Sequence, residues 1–303
     1  MMARESGDCP SFILGTAQLG MDYGIANTQG RPDAAKAVRI VEAAWAQGIR
    51  HFDTAQSYGD SEAVLGQALR DAGLLGEAKV GSKLSVALDP TDRDGLAAAI
   101  EGSFERLGVD SLWCMLLHRA TWLDHWDEGL GELLLSHRAA GRIKHLGASL
   151  LGPDEAPRCL AHPDVEILQA PSNAWDRRLV ERGVFEEARS RGQLCCVRSV
   201  YLQGLLTLLP EQVATRLPAA RPAAECWHAL ASRAGIAPVA MALRYALGLD
   251  VPLVVGADSP EQIAETVALA EAGPLPAALV EEIAQELDPV LNETIIEPWR
   301  WEK

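Results

Sequence analysis

One short segment of the chain carries two side chains that could handle a proton. In residues 48–59, GIRHFDTAQSYG, an apolar run ends in Asp53, and a phenol follows five residues later at Tyr58. Two more titratable groups end apolar runs downstream, Lys83 in VGSK and His118 in LWCMLLH. Each alone has an ordinary structural explanation, such as a turn cap or a surface charge. Together, at the ends of three successive apolar runs, they favour a shared chemical role.

These four residue types suit proton transfer to a carbonyl oxygen whose carbon receives a hydride. A phenol, with an ordinary pKa of about 10, is a weak acid at neutral pH. A neighbouring ammonium stabilises the phenolate, and a carboxylate keeps that ammonium charged and oriented. Histidine can pass a proton or donate to the developing oxyanion. We therefore predict Tyr58 as general acid, Lys83 as its electrostatic partner, Asp53 as the group orienting Lys83, and His118 as a donor.

A Schiff-base role for Lys83 is the chemical alternative. A nucleophilic lysine needs a lowered pKa, whereas a carboxylate such as Asp53 nearby would raise it. The sequence therefore ranks this reaction last.

Short apolar runs alternate along the chain with segments of helical periodicity. We predict strands at 12–14, 49–53, 78–83, 111–118, 143–148, 167–170, 194–197 and 253–255. We predict helices at 33–47, 61–71, 91–107, 127–140, 153–161, 177–191, 222–234 with 237–247, and 259–271. The third of these shows the pattern: Thr91 could cap it, and apolar residues recur at three- and four-residue steps.

Eight strand–helix units in about 250 residues indicate an α/β fold, a closed (β/α)8 TIM barrel. An open doubly wound sheet is the competitor, but its GxGxxG fingerprint after strand one is absent. No linker divides the chain, so residues 1–303 are predicted to form a single domain with a C-terminal helix and tail. The proline-rich run 210–222 is predicted to be a long excursion after strand seven. Residues 293–303, ETIIEPWRWEK, are expected to fold back so that Trp299 and Trp301 lie over the helices.

Composition narrows the possible partners. The net charge of −15 opposes binding to nucleic acids and to anionic membranes. The six cysteines, at 9, 114, 159, 195, 196 and 226, form no CxxC pair or zinc-type cluster, and they fit a reducing compartment. The N-terminus, MMARESGDCPS, lacks the apolar region of a signal peptide. We therefore predict a cytoplasmic protein without a metal, and the oligomeric state stays open, a monomer included.

Several longer motifs resemble the aldo-keto reductase family over nearly the whole chain. They are LGTAQLG (14–20), HFDTAQSYGDSEAVLGQAL (51–69), GSKL (81–84), LLH (116–118), IKHLGAS (143–149), LQAPSN (168–173) and VVGADSPEQIAET (254–266). The resemblance implies a catalytic tetrad at Asp53, Tyr58, Lys83 and His118. It also implies NAD(P)H as hydride donor, with the nicotinamide across the barrel mouth.

The resemblance further implies a set of cofactor-binding positions. They are Gly15, Thr16, Ser149, Gln169, Arg198, Ser199, Gln203, Gly204, Gly256, Ala257, Asp258, Gln262, Glu265 and Thr266. Ser149 and Gln169 match the groups that hold the nicotinamide carboxamide. Two positions depart from the family pattern: Leu150 stands where Asn often follows the serine, and Arg198 replaces a stacking aromatic residue.

The adenosine end lacks the basic residues usual in NADPH-preferring members, and Asp258 would face a 2′-phosphate. NADPH is the family default and NADH the alternative; the sequence does not decide between them. Ser259, Pro260 and Gln262 also form a standard helix start, with Ser259 as N-cap.

The predicted activity is NAD(P)H-dependent reduction of an aldehyde or ketone, a sugar-like compound included, to an alcohol. Tyr23, Trp122 and Trp175 are predicted to line the substrate pocket. The alternative function is a nicotinamide-binding, redox-sensing module that regulates a partner protein. The sequence does not identify the substrate.

Overall fold

The computed structural model describes residues 11–301. Cys9 and most of the N-terminal segment MMARESGDCPS lie outside these residues. No helix in the range 11–301 is both long and apolar enough to cross a bilayer.

Eight parallel strands close into a barrel in chain order, with β8 pairing back to β1. The strands are β1 (Phe12–Gly15), β2 (His51–Asp53), β3 (Lys79–Leu84), β4 (Leu112–Leu117), β5 (Ile143–Ser149), β6 (Ile167–Pro171), β7 (Leu194–Arg198) and β8 (Leu253–Gly256). The predicted (β/α)8 barrel is confirmed. Because all strands run the same way, their carboxyl ends meet at one mouth.

The α-helices follow in chain order between and after the strands. They are α1 (Ala17–Gly20), α2 (Ala34–Ala46), α3 (Ser61–Asp71), α4 (Arg93–Leu107), α5 (Leu130–Ala139), α6 (Ala156–Ala161), α7 (Arg178–Glu181), α8 (Val184–Ser190), α9 (Pro210–Arg216), α10 (Arg221–Ala234), α11 (Pro238–Leu247), α12 (Pro260–Ala270), α13 (Ala277–Leu287) and α14 (Glu293–Ile296). Short 3₁₀ segments at Ala120–Glu128, Pro153–Glu155, Leu202–Thr207, Pro218–Ala220, Asp288–Val290 and Pro298–Arg300 complete the connections.

Several predicted helix limits were wrong, for local reasons. The helix predicted over 177–191 is two helices, because Gly183 takes a left-handed conformation with φ 66°. Helix α4 is capped by Asp92, whose carboxylate accepts from the Gly95 amide, and not by Thr91. The run 210–222 is largely helical, since its prolines stand in first turns, where a missing N–H costs nothing.

Three hydrophobic clusters divide the core. The largest lies between the barrel wall and the surrounding helices. A small one, which includes Trp113 and Cys114, fills the barrel interior. The third packs α9, α10, α11 and α13 together around Trp175 and Trp227. Trp301 packs against this third cluster and donates to the Ile295 carbonyl at 3.0 Å, whereas Trp299 is 47% exposed.

Candidate active site

The barrel brings the four predicted catalytic side chains together at its mouth. Asp53 ends β2, Lys83 lies in β3, and His118 directly follows β4. The Lys83 Nζ lies 2.6 Å from Oδ1 of Asp53 and 4.9 Å from the centre of the Tyr58 ring. The rings of Tyr58 and His118 meet edge to face, with their centres 5.8 Å apart. Four groups separated by up to 65 residues in sequence thus form one cluster.

A close backbone contact fixes the position of Tyr58 at the mouth. The turn that carries Tyr58 packs against the end of α1, where a Cβ at Gly20 would collide with the backbone of Tyr58 and Ser61. Gly59 has φ +56°, and a Cβ there would strike the Gly20 carbonyl. The two glycines therefore allow the turn to lie directly on α1.

Lys83 is fully buried, and the protein satisfies its ammonium completely. Nζ donates to both carboxylate oxygens of Asp53, at 2.6 and 2.7 Å, and to the Thr54 carbonyl at 2.9 Å. Burial by itself would lower the pKa of Lys83, but the Asp53 carboxylate more than offsets it, so the pKa lies above its ordinary value. The ammonium beside Tyr58 is therefore a permanent positive charge.

His118 is held neutral. Burial, followed by the positive charges of Lys83, Arg198 and Arg119, lowers the pKa of His118 to about 3. Its buried Nδ1 has no hydrogen-bond partner among the described residues. A neutral imidazole has one N–H donor and one acceptor nitrogen. His118 can therefore donate a hydrogen bond near Tyr58, but it is not a cationic acid at neutral pH.

Of the three predicted pocket aromatics, only Tyr23 lies on the cavity wall. It follows β1, and burial together with the nearby Tyr58 raises the pKa of Tyr23 to about 12, so it stays protonated. Trp122 packs in the cluster outside the barrel, and Trp175 in the third cluster. Asn173 closes a tight turn at this point, because its side-chain oxygen accepts from the backbone amides of Trp175 and Asp176. This turn carries Trp175, whose ring packs in the third cluster.

An elongated cavity of about 410 Å³ starts at Asp53 and Tyr58 and runs to the edge between β8 and α12. Most of the predicted cofactor-binding residues line it: Gly15, Thr16, Arg198, Ser199, Gln203, Gly204, Gly256, Asp258, Gln262, Glu265 and Thr266. Ser149, Gln169 and Ala257 lie beside it, buried in or next to strand ends, and are not part of its wall. Sequence reasoning missed other wall residues, among them Gln18, Gly24, Ala26, Asn27, Val239 and Leu269. For the segment 24–27, its place in the polar loop after β1 was an available signal.

Gln169 joins the cavity to the ion pair. Its Nε2 donates to Oδ1 of Asp53 at 2.7 Å, while its buried Oε1 has no partner in the described part of the chain. Ser149 lies beside it, since the two residues pair across β5 and β6. An unpaired buried acceptor of this kind calls for a donor from outside the protein.

Arg198 is held in place by hydrogen bonds to Leu150 and Ser199. Its guanidinium donates to the Leu150 carbonyl at 2.8 Å and to Oγ of Ser199 at 3.1 Å. The side chain thus spans from the end of β7 to the residue after β5. It presents a positively charged, planar group to the cavity where an aromatic ring was expected.

The loop after β7 is strained and touches the loop after β1. Ser199, Leu202 and Gln203 have φ values of 63°, 47° and 55°, a region that non-glycine residues rarely adopt. A Cβ on Gly204 would meet Ala26, and one on Gly24 would lie 3.1 Å from the Gln203 carbonyl oxygen. Strain of this kind collects at ligand sites, and this loop lines the cavity.

Within residues 11–301, no three histidine, cysteine, aspartate or glutamate side chains lie together in a way that could hold a metal ion.

Comparison with known proteins decides the family. The model for the Aldo/keto reductase family matches residues 11–288, nearly the whole chain. The chain belongs to the aldo-keto reductase family. An aldo-keto reductase from Strobilurus tenacellus is 27% identical over 203 residues, which cover 64% of this chain and 58% of that protein. The chain therefore matches little more than half of that relative's length.

Two further comparisons extend over most of both proteins. The NADH-specific methylglyoxal reductase of Escherichia coli is 26% identical over 291 residues, which cover 80% of this chain and 85% of that enzyme. The holo form of an aldo-keto reductase from Bacillus halodurans superposes with a TM-score of 0.73 at 24% identity, over 96% of this chain and 95% of that one. The structural likeness supports the shared barrel fold.

The residues present fit the nicotinamide dinucleotide that this family uses. The unpaired Oε1 of Gln169, next to the Tyr58 end of the cavity, can accept from a carboxamide N–H. At Gly256, the side chain of Gln18 on the cavity wall takes the space that a Cβ would fill, so Gln18 packs directly on the backbone at the end of β8. An unpaired acceptor near one end of an elongated cavity is compatible with an amide-bearing ring on an extended ligand.

Proposed function

We propose that this aldo-keto reductase catalyses the NAD(P)H-dependent reduction of an aldehyde or ketone to an alcohol, with Tyr58 as general acid. The observation that carries the proposal is the buried Lys83–Asp53 ion pair beneath the Tyr58 ring, at one end of a long cavity. When bound, the dinucleotide supplies a hydride to the carbonyl carbon.

Tyr58 donates its phenolic proton to the oxygen that becomes an alkoxide. The phenolate left behind is stabilised by the Lys83 ammonium, which Asp53 and the Thr54 carbonyl hold in a single position. Because Lys83 already carries its charge, no charge has to be created at that residue when the proton moves.

Neutral His118 supplies an uncharged donor next to Tyr58 and aligns the carbonyl oxygen with the phenol. Tyr23, protonated with a pKa of about 12, adds a second neutral hydroxyl to the wall. Ser149 and Gln169 would hold the carboxamide of the nicotinamide, and Ser199, Gln203 and Gly204 would lie along the dinucleotide. The raised pKa of Lys83 argues against a Schiff-base reaction, which needs an uncharged amine.

The proposal is tested by titrating the protein with NADPH and NADH, followed by turnover of a panel of aldehydes and ketones. We expect Tyr58→Phe to lower kcat by about 10²–10⁴-fold, the usual range for loss of a general acid, while nucleotide affinity stays within about twofold. Tyr245→Phe is the matched control, because Tyr245 is buried in the third hydrophobic cluster, away from the cavity. It should leave kcat unchanged.

Each other outcome has a distinct meaning. Nucleotide binding without turnover of any carbonyl compound would favour the redox-sensing module. Absence of binding for both nucleotides would leave a barrel without this function.

A further inference from the structure

The cavity has a second end, where β8 meets α12. Its wall there includes Gly256, Asp258, Gln262, Glu265 and Thr266. A hydride donor has to place its reactive ring beside Tyr58, so the adenosine half of an extended dinucleotide falls at this opposite end. Which nucleotide binds is therefore decided by the groups around the start of α12.

Asp258 points an unsatisfied acceptor into this region. Its backbone N–H donates to Oε1 of Gln262 at 2.7 Å, which fixes the residue against the first turn of α12. Its side-chain Oδ1 is shielded from solvent and has no partner within residues 11–301. Burial raises the pKa of Asp258, and the more distant Lys36 only partly opposes this. A shielded carboxylate oxygen without a donor is costly, and a ligand hydroxyl would relieve that cost.

The start of α12 already has its own anion. A helix N-terminus attracts phosphate through its free N–H groups. Here the Glu261 carboxylate accepts from the Ser259 hydroxyl and from its own backbone N–H, which lowers the pKa of Glu261. An additional phosphate at this position would have to displace that carboxylate and would be repelled by it.

Lysine and arginine side chains are scarce around this end of the cavity. Of the described residues that line the cavity, Arg198 is the only lysine or arginine, and its guanidinium is held at the barrel mouth by the Leu150 carbonyl. Two cations on α2 act on this region from outside the cavity wall: Lys36 on Asp258 and Glu261, and Arg39 on Glu261. The Lys36 ammonium donates to Oε1 of Gln29 at 2.8 Å. A 2′-phosphate would meet two carboxylates here, and within residues 11–301 no lysine or arginine lines this end of the cavity to bind it.

We infer that Asp258 makes this enzyme select NADH over NADPH. Its free carboxylate oxygen accepts a hydrogen bond from the 2′-hydroxyl of the adenosine ribose, and the same charge, with that of Glu261, repels a 2′-phosphate. The inference rests on the proposed function, because it takes a nicotinamide dinucleotide as the ligand. It assigns Asp258 a role in the choice between NADH and NADPH, which the sequence left open.

The test is equilibrium binding, without turnover. NADH and NADPH are titrated into the wild-type protein and into Asp258→Asn and Asp258→Ser, with fluorescence or calorimetry as readout. 5′-AMP and adenosine 2′,5′-bisphosphate are titrated alongside, because they carry only the adenosine half and isolate its contribution. Glu271→Gln is the control for a loss of one negative charge, since Glu271 follows the far end of α12.

We expect the wild type to bind NADH at least about tenfold more tightly than NADPH, the ratio that one charged hydrogen bond supports. Both Asp258 variants should reduce that ratio by about tenfold, mainly through tighter NADPH, and the two adenosine probes should follow the same trend. Glu271→Gln should leave the ratio unchanged.

Two results would overturn the inference alone. One is a wild type that binds NADPH as tightly as NADH or more tightly; the other is a ratio that stays the same in Asp258→Asn and Asp258→Ser. Failure of both dinucleotides to bind would instead overturn the proposed function, and the inference with it.

Discussion

The two ends of the cavity are built differently. At the Tyr58 end, the charges are matched inside the protein: Lys83 makes three donated bonds, two of them to Asp53. At the α12 end, Asp258 keeps a carboxylate oxygen that has no partner within residues 11–301. On the proposed function, the groups for proton transfer are positioned before any ligand binds, whereas recognition of the nucleotide depends on polar atoms that the protein leaves unpaired.

The strongest test of this contrast removes one partner of the matched charges. Lys83→Met leaves the Asp53 carboxylate buried beside Gln169 without its cation, and breaking such a pair costs about 3–5 kcal/mol of unfolding free energy. Urea denaturation measures it. The double variant Asp53→Asn/Lys83→Met should lose less unfolding free energy than the two single variants added together. Each substitution removes the charge that the other would leave buried and unpaired. Additive losses would contradict a matched pair.

A pH experiment probes His118 at the same end. Its folded pKa, about 3, lies below the unfolded value of about 6.5. The unfolded chain therefore takes up a proton as the pH falls through 6.5 while the folded protein does not, so stability is lost between about pH 6.5 and pH 3. For the wild type, we expect a loss of about 1–2 kcal/mol between pH 7 and pH 5 beyond that of His118→Asn. Parallel unfolding curves for both proteins would contradict a neutral His118.

Arg198 shares a property with each end of the cavity. Its charge faces the cavity, as that of Asp258 does, but its side chain is fixed by hydrogen bonds, as that of Lys83 is. A fixed guanidinium should repel the cationic, oxidised nicotinamide more than the neutral, reduced form. In Arg198→Tyr, we expect the affinity for the oxidised nucleotide to improve relative to the reduced one, by about threefold to tenfold. Titration with both forms measures this, with Arg198→Lys as a control that keeps the charge. An unchanged ratio would exclude the effect.

The smallest predicted effect on stability and affinity comes from the helix cap at the start of α12. Ser259→Ala removes the side chain that accepts from the Gln262 amide at the start of α12, at a cost of about 0.5–1 kcal/mol. Because this helix start lines the cavity, nucleotide affinity should fall with it. Asp92→Ala removes the equivalent cap of α4, away from the cavity, and should lower the unfolding free energy without changing affinity. Equal effects of both variants on affinity would argue against a local role for α12.

The positions of the strands could be predicted from the sequence alone. All eight strands were predicted to within two residues at their carboxyl ends, because buried apolar runs end where a polar group reaches the mouth. For the same reason, the four candidate catalytic side chains could be expected at one mouth of the barrel. The surroundings of Trp122 and Trp175 could not be predicted in this way. An indole suits a pocket wall and a hydrophobic core equally well, and the packing of neighbouring elements decides between them. A C-terminal helix was predicted without bounds, and α13 (Ala277–Leu287) lies there, with Leu279, Ile283 and Leu287 at helical spacing.

Arg198 and Leu150 show a further limit. Each reads as an isolated departure from the family pattern, yet in the fold the side chain of one bonds the carbonyl of the other, 48 positions away. A backbone carbonyl leaves no trace in the residue type, so sequence reasoning could not connect them.

The contact between the loops after β1 and β7 bears on how fast a bound molecule can leave the cavity. Gly24 lies against Gln203, and Gly204 lies against Ala26, with no room for another methyl group. Arg216 also donates to the Ile25 carbonyl, which ties the first loop to α9. A molecule lodged behind this contact can leave on that side only when the two loops separate, a motion of microseconds to milliseconds in proteins of this kind. On the proposed function, the residence time of a nucleotide on that side would depend on how often these loops part.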